Sequence, residues 1–154
     1  MNGPSPNKRY LGKLAIVLHA HLPYVRKNER NSLEEDWLFQ AIIECYIPLL
    51  QVIESSKEKN FDNTKLTISL SPTLLTLLEN EKIQNTFPSW IKTRLDFLND
   101  LPHKEKVASE FLFKNFEDKY LYWQKCSGNL IKKFKNLNLS GNLDILTCAA
   151  THGY

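Results

Sequence analysis

The chain has 154 residues, of which 42% are hydrophobic and 11% aromatic, and this composition excludes an intrinsically disordered protein. Twenty Lys and Arg against seventeen Asp and Glu give a net charge of +3, and the dispersed basic residues do not indicate a nucleic-acid partner. We expect one folded segment in the cytoplasm with no membrane partner, because no window approaches the roughly 20 apolar residues of a membrane span.

The first part of the chain is predicted to contain one strand and one long helix. Residues 1–13 carry several glycines and prolines and are expected to form a flexible lead-in. The apolar run Leu14–Leu18 that follows predicts a buried strand. Ser32 and Glu35 have the spacing of a capping box, and apolar residues then recur at helical period. The pattern therefore predicts an amphipathic helix, with a kink at Pro48 because proline lacks a backbone N–H.

Two further strands are predicted, with helices between them. The alternation of apolar and polar residues over Leu66–Leu70 is typical of a strand. The region 86–136 has helical periodicity and predicts two or three helices, broken at Pro102 and Gly128. The nearly continuous apolar stretch Leu143–Ala150 predicts a third buried strand.

Strands that alternate with helices indicate parallel pairing, and hence an α/β sheet or barrel. Three strands cannot close such a barrel, which usually needs roughly 250 residues. The predicted fold class is therefore the N-terminal portion of a parallel β/α barrel. Residues 14–154 would form this portion of the barrel, and they would stop after its third strand.

Polar side chains follow each predicted strand. His19 and His21 come after the first apolar run and are two residues apart, so both side chains leave an extended backbone on the same side. Ser71 follows the second strand, and His152 follows the third. Because ligands of parallel α/β folds bind at the carboxyl ends of the strands, we expect these side chains to converge on one rim and contact a substrate.

Two alternatives to substrate binding stay open for the histidines. A single histidine beside an apolar run is commonly a hydrogen-bonded residue of the core. Three histidines, His19, His21 and His152, also suffice as zinc ligands with a fourth position open for water. The absence of an Asp or Glu beside the His19–His21 pair argues against a zinc site.

Trp37 and the acidic residues before it have structural and functional interpretations. The indole of Trp37 can stack on a sugar ring at the rim, or it can act as the hydrophobic staple of its helix. The run Glu34–Asp36 invites an acid/base role. However, acidic residues in the first turn of a helix complement the helix dipole, and this interpretation is favoured.

Five stretches together resemble the N-terminal part of glycoside hydrolase family 57, especially its 1,4-α-glucan branching enzymes. They occur in the family's order and spacing. The resemblance runs from about Leu14 to the last residue, and the helical region 79–138 matches only in general character. The matching stretches are residues 14–26 (LAIVLHAHLPYVR), 35–41 (EDWLFQA), 46–50 (YIPLL), 68–72 (ISLSP) and 145–154 (ILTCAATHGY).

This resemblance implies a seven-stranded β/α barrel that acts on α-glucans such as amylose, glycogen or starch with retention of configuration. The nucleophile Glu and the acid/base Asp would lie beyond Tyr154, so no catalytic carboxylate is expected in this chain, and neither a metal nor another cofactor is implied. His19 would line the donor-sugar subsite with His21 beside it. Trp37 and His152 would also line the substrate site.

The resemblance leaves other activities open. An α-amylase or a 4-α-glucanotransferase of the same family is an alternative, although these often carry Gln where His21 stands. A noncatalytic glucan-binding module would stack exposed aromatic residues such as Trp37, Trp90 and Trp123 on the polymer. A zinc-dependent hydrolase built on the three histidines is the third alternative.

Overall fold

The computed structural model of the chain describes Gly12 and residues 14–24, 32–58, 65–102 and 105–150. Apart from Gly12, the predicted lead-in over residues 1–13 lies outside the described residues. The elements are, in chain order, β1 (Val17–Ala20), α1 (Leu33–Ala41), a π-helical turn (Ile42–Tyr46), α2 (Ile47–Glu58), β2 (Leu66–Leu70), α3 (Pro72–Glu79), α4 (Glu81–Asn99), α5 (Lys106–Lys125), α6 (Leu130–Leu139) and β3 (Leu143–Leu146).

The three described strands form one parallel sheet in the order β1-β2-β3. The register places His19 beside Ser69 and Ser69 beside Leu146. The predicted parallel pairing and the predicted bounds of β2 are therefore confirmed, but the predicted bounds of β1 and β3 were wrong. Strand β1 begins at Val17 and continues through the histidine, because backbone pairing with β2 and not the apolar run determines where the strand lies. Similarly, β3 ends at Leu146 and not at Ala150.

The two faces of the sheet differ in exposure. One face is buried against the helices and includes Ala20, Ile68, Leu70 and Leu143. The opposite face carries the alternate residues, of which Val17 is 62% and Leu146 45% exposed. The described chain is thus a two-layer α/β unit, and its second sheet face is uncovered.

The long helix after β1 begins where the capping pattern predicts. The Ser32 hydroxyl accepts a hydrogen bond from the Glu35 N–H at 3.1 Å. Near the predicted kink, the structure has a π-helical turn, Ile42–Tyr46, which ends two residues before Pro48, and the Ile47 N–H donates to the Ile42 carbonyl. Proline at position 48 offers no N–H to the carbonyl four residues earlier, and a widened turn relieves this mismatch.

The stretch Leu33–Ser56 is long and apolar enough to cross a membrane by length and composition. This finding corrects the expectation that no window of the chain reaches that level. The helix packs into the core, where Leu38, Phe39 and Ile43 are at most 1% exposed. Core helices of soluble proteins share this length and composition, so these two properties alone do not indicate a membrane span.

Among the remaining helices, α6 packs against β3, and α4 packs against α3 and α5. Helix α4 begins at Glu81, earlier than predicted, because the Asn80 side chain accepts from the N–H groups of Lys82 and Ile83. The predicted break at Gly128 is confirmed. There the Gly128 N–H donates to the Trp123 carbonyl and closes a Schellman-type end of α5.

Polar contacts join these helices at their outer edge. Glu54 of α2 accepts a hydrogen bond from the Tyr122 hydroxyl of α5 at 3.0 Å and from Lys133 Nζ of α6 at 2.9 Å. Burial, followed by the neighbouring Glu54 carboxylate, raises the pKa of Tyr122. Tyr122 therefore stays a neutral donor, and one carboxylate links three helices.

Candidate functional site

The two histidines lie side by side at the carboxyl end of β1. His19 belongs to the strand and His21 follows it directly, which corrects the prediction that both come after the strand. Their ring centroids are 6.2 Å apart with planes 12° from parallel. This arrangement follows from the two-residue period of extended chain, which sends both side chains to one side.

Each histidine forms a hydrogen bond with a serine, which lies either in β2 or directly after it. His19 Nδ1 lies 2.5 Å from Ser69 Oγ, and His21 Nδ1 lies 3.0 Å from Ser71 Oγ. The parallel register aligns Ser69 with His19, and the same offset of fifty residues aligns Ser71 with His21. The four side chains form two matched pairs, which we call the His–Ser ladder (His19, Ser69, His21, Ser71).

Sequence reasoning placed Ser71 at the rim but did not identify Ser69 as a partner of His19. A signal was present, since Ser69 and Ser71 repeat the two-residue spacing of His19 and His21. This spacing becomes informative only when the register of the two strands is known. The pairing of all four residues could therefore not be predicted from the sequence.

Trp37 lies within α1 and its side chain is 46% exposed, so its indole is accessible for contact with a ligand. The other two tryptophans are engaged in structure. Trp123 is 4% exposed and its ring centroid lies 4.3 Å from that of Phe87. Trp90 packs against the core and donates its Nε1–H to Asp36 at 2.7 Å. The interpretation of Trp123 as an exposed glucan-stacking residue was therefore wrong, whereas Trp90 is half-buried.

A cleft of about 610 Å³ lies between the start of α1 and the middle of α4. Asp36 is on its wall and receives hydrogen bonds from Trp90 Nε1 and the Arg94 guanidinium. The Arg94 guanidinium also lies over the Trp90 ring, 4.7 Å from its centroid. Asp36 therefore joins two helices, a tertiary role that the helix-dipole interpretation did not include.

His152 lies outside the described residues, so the predicted convergence of the three histidines stays a prediction. For the same reason the three-histidine zinc site is untested. In the described part of the chain, no group of three or more His, Cys, Asp or Glu side chains lies close enough together to hold a metal ion.

The sequence pattern of glycosyl hydrolase family 57 matches residues 15–154. The chain belongs to this family. The match includes both histidines and all three strands, so the whole described sheet lies within the matched region.

Relatives in this family include branching enzymes and an amylase. The 1,4-α-glucan branching enzyme of Thermococcus kodakarensis is 34% identical over 147 residues, which are 93% of this chain and 22% of that protein. The crystal structure of the family 57 branching enzyme of Pyrococcus horikoshii superposes with a TM-score of 0.86 at 38% identity, over 93% of this chain and 28% of that one. The α-amylase AmyC of Thermotoga maritima superposes with a TM-score of 0.79 at 34% identity, over the same shares of 93% and 28%. The chain thus spans less than a third of the length of these relatives.

Proposed function

We propose that this chain is the N-terminal part of the catalytic barrel of an α-glucan-acting enzyme, most similar to the 1,4-α-glucan branching enzymes. Residues 14–154 would supply the first strands of a seven-stranded β/α barrel, and residues 1–13 a lead-in. The uncovered sheet face supports this proposal. It carries His19 and Ser69 at the carboxyl ends of parallel strands, where barrel enzymes assemble their sites.

The His–Ser ladder is the observation that carries the proposal. Its two imidazoles lie parallel at one end of the sheet, and both are anchored at Nδ1. Anchored polar groups that project from a rigid sheet are suited to bind sugar hydroxyl groups and to stabilise charge that develops in a transition state. Trp37 and His152 would complete the sugar-binding wall.

The catalytic carboxylates would come from the rest of the protein. A retaining glycosidase needs a nucleophile and an acid/base about 5 Å apart on either side of the scissile bond. In the proposed reaction the nucleophile cleaves an α-1,4 bond and holds the glucan segment covalently. A 6-hydroxyl of another glucan then accepts the segment and forms the branch.

An α-amylase is the second candidate, because AmyC resembles this chain nearly as closely as the branching enzymes do. The longer protein should be incubated with amylose, and the products should be analysed for linkage and for reducing ends. A branching enzyme converts α-1,4 into α-1,6 linkages with little increase in reducing ends, whereas an amylase produces reducing ends without new α-1,6 linkages. A protein that leaves amylose unchanged would contradict both assignments.

A further inference from the structure

Ser71 is buried at the junction of β2 and α3, where its hydrogen-bonding groups can be traced individually. It is 1% exposed, and its N–H donates to the Ala20 carbonyl at 3.1 Å. Its carbonyl accepts from the Leu75 N–H at 3.0 Å, as the first bond of α3. Its Oγ accepts from the Leu74 N–H at 3.3 Å, as the helix cap. The hydroxyl proton is the group that still requires an acceptor.

The second partner of Ser71 Oγ is His21 Nδ1, at 3.0 Å, and this contact can run in two directions. If Nδ1–H donates, Oγ accepts two hydrogen bonds, and the hydroxyl proton is left without an acceptor among the described residues. If the hydroxyl donates to Nδ1, each polar group of Ser71 has a partner. Because an unsatisfied donor in a buried residue is costly, the second direction is favoured.

We propose that Ser71 is a positioning residue that holds the neutral His21 imidazole in the tautomer with its proton on Nε2. In that tautomer Nε2 donates a hydrogen bond. The consequence for sugar binding rests on the proposed function, in which His21 Nε2–H would donate to an oxygen of the glucan. Ser71 would thus determine that His21 acts as a donor and not as an acceptor.

The assignment also bears on the zinc alternative. A zinc-bound imidazole uses the lone pair of one ring nitrogen and donates the N–H of the other to an acceptor. Ser71 offers His21 Nδ1 a donor, which leaves the proton, and no lone pair, on Nε2. Binding of a metal at His21 Nε2 would therefore require the Ser71 hydrogen bond to reverse.

The tautomer can be measured from the ¹⁵N shifts of the histidine ring nitrogens in the full chain, labelled with ¹⁵N-histidine. The pH should lie about two units above the ordinary histidine pKa of about 6.5, and His21→Gln assigns the signal. We expect the Nε2–H form to exceed the other by about tenfold or more in the wild type. Ser71→Asp should reverse this preference, because a carboxylate still caps α3 but can only accept from Nδ1–H. Ser71→Ala should give a mixture of both forms.

Ser32→Asp provides the matched control, since Ser32 caps α1 with the same geometry and should leave the His21 signal unchanged. An Nδ1–H form in the wild type would overturn the proposal. So would an Asp variant that keeps the Nε2–H form. If the Asp variant does not fold, an Ala variant with a signal identical to that of the wild type would also overturn the proposal. The signal is read without glucan, so a failure of the proposed enzymatic activity leaves this test intact.

Discussion

Replacing Gly128 by Ala is expected to destabilise the protein by about 2–4 kcal/mol, through two separable costs. Gly128 has φ +73°, a conformation that costs a residue with a Cβ about 1–2 kcal/mol, partly offset by the lower entropy of the unfolded alanine chain. In addition, a Cβ at position 128 would lie 2.9 Å from Cζ2 and 3.1 Å from Cε2 of Trp123. Trp123 is 4% exposed and is packed against Phe87, so its ring cannot move aside cheaply.

Gly141 separates the two costs, because it has φ +79° but a Cβ at this position would meet no atom within 4 Å. Gly141→Ala should therefore lose only about 1 kcal/mol, and the difference between the two variants should be about 1–3 kcal/mol. Denaturant unfolding followed by tryptophan fluorescence measures both losses. In a Trp123→Leu background the excess cost of Gly128→Ala should disappear. Equal losses for the two glycines in the wild-type background would refute the packing argument.

Three further predictions concern the candidate site and the core. His19→Ala should reduce turnover of amylose by the longer enzyme about a hundredfold or more. The free energy of unfolding should change by only about 0.5 kcal/mol, because the side chain is exposed. A loss of stability large enough to explain the lower turnover would contradict the proposed role of His19. Trp37→Ala should weaken glucan binding in affinity electrophoresis. Phe97 is also an exposed aromatic residue, on α4, and Phe97→Ala should leave binding unchanged. Equal effects of the two substitutions would contradict stacking by Trp37. Burial raises the pKa of Tyr46 from 10.0 to about 12, so its contribution to stability is complete below pH 10 and lost as the pH rises towards 12. Tyr46→Phe should reduce this alkaline loss in denaturant midpoints measured across that range.

The sequence predicted the elements better than their ends. The apolar run that begins at Leu14 indicated a strand, but Leu14 is 86% exposed and the paired segment is Val17–Ala20. An apolar run indicates that its side chains are suited to burial. The bounds of a strand depend instead on which backbone groups form hydrogen bonds with β2. The cap at Ser32 was predicted correctly because a cap is a local interaction between residues three apart.

Long-range contacts were the part of the site that the sequence could not provide. Trp123 and Trp37 are both aromatic residues in predicted helices, yet one is buried and the other is exposed. Helical periodicity groups residues into faces, but it does not say which face meets the sheet when a helix carries apolar residues on several sides. The link from Asp36 to Arg94 spans 58 positions and has no local signature.

The two His–Ser pairs depend on a single structural variable, the register of β1 against β2. Side chains alternate with a period of two along both strands, so a slip of one residue would send the histidines and the serines to opposite faces of the sheet. The register is held by burial of Ile68 and Leu70 on the other face, because the same slip would expose both. Folding of the core and assembly of the ladder are therefore coupled. A core mutation that loosens the strand register should disturb both imidazoles at once, even though it touches neither of them.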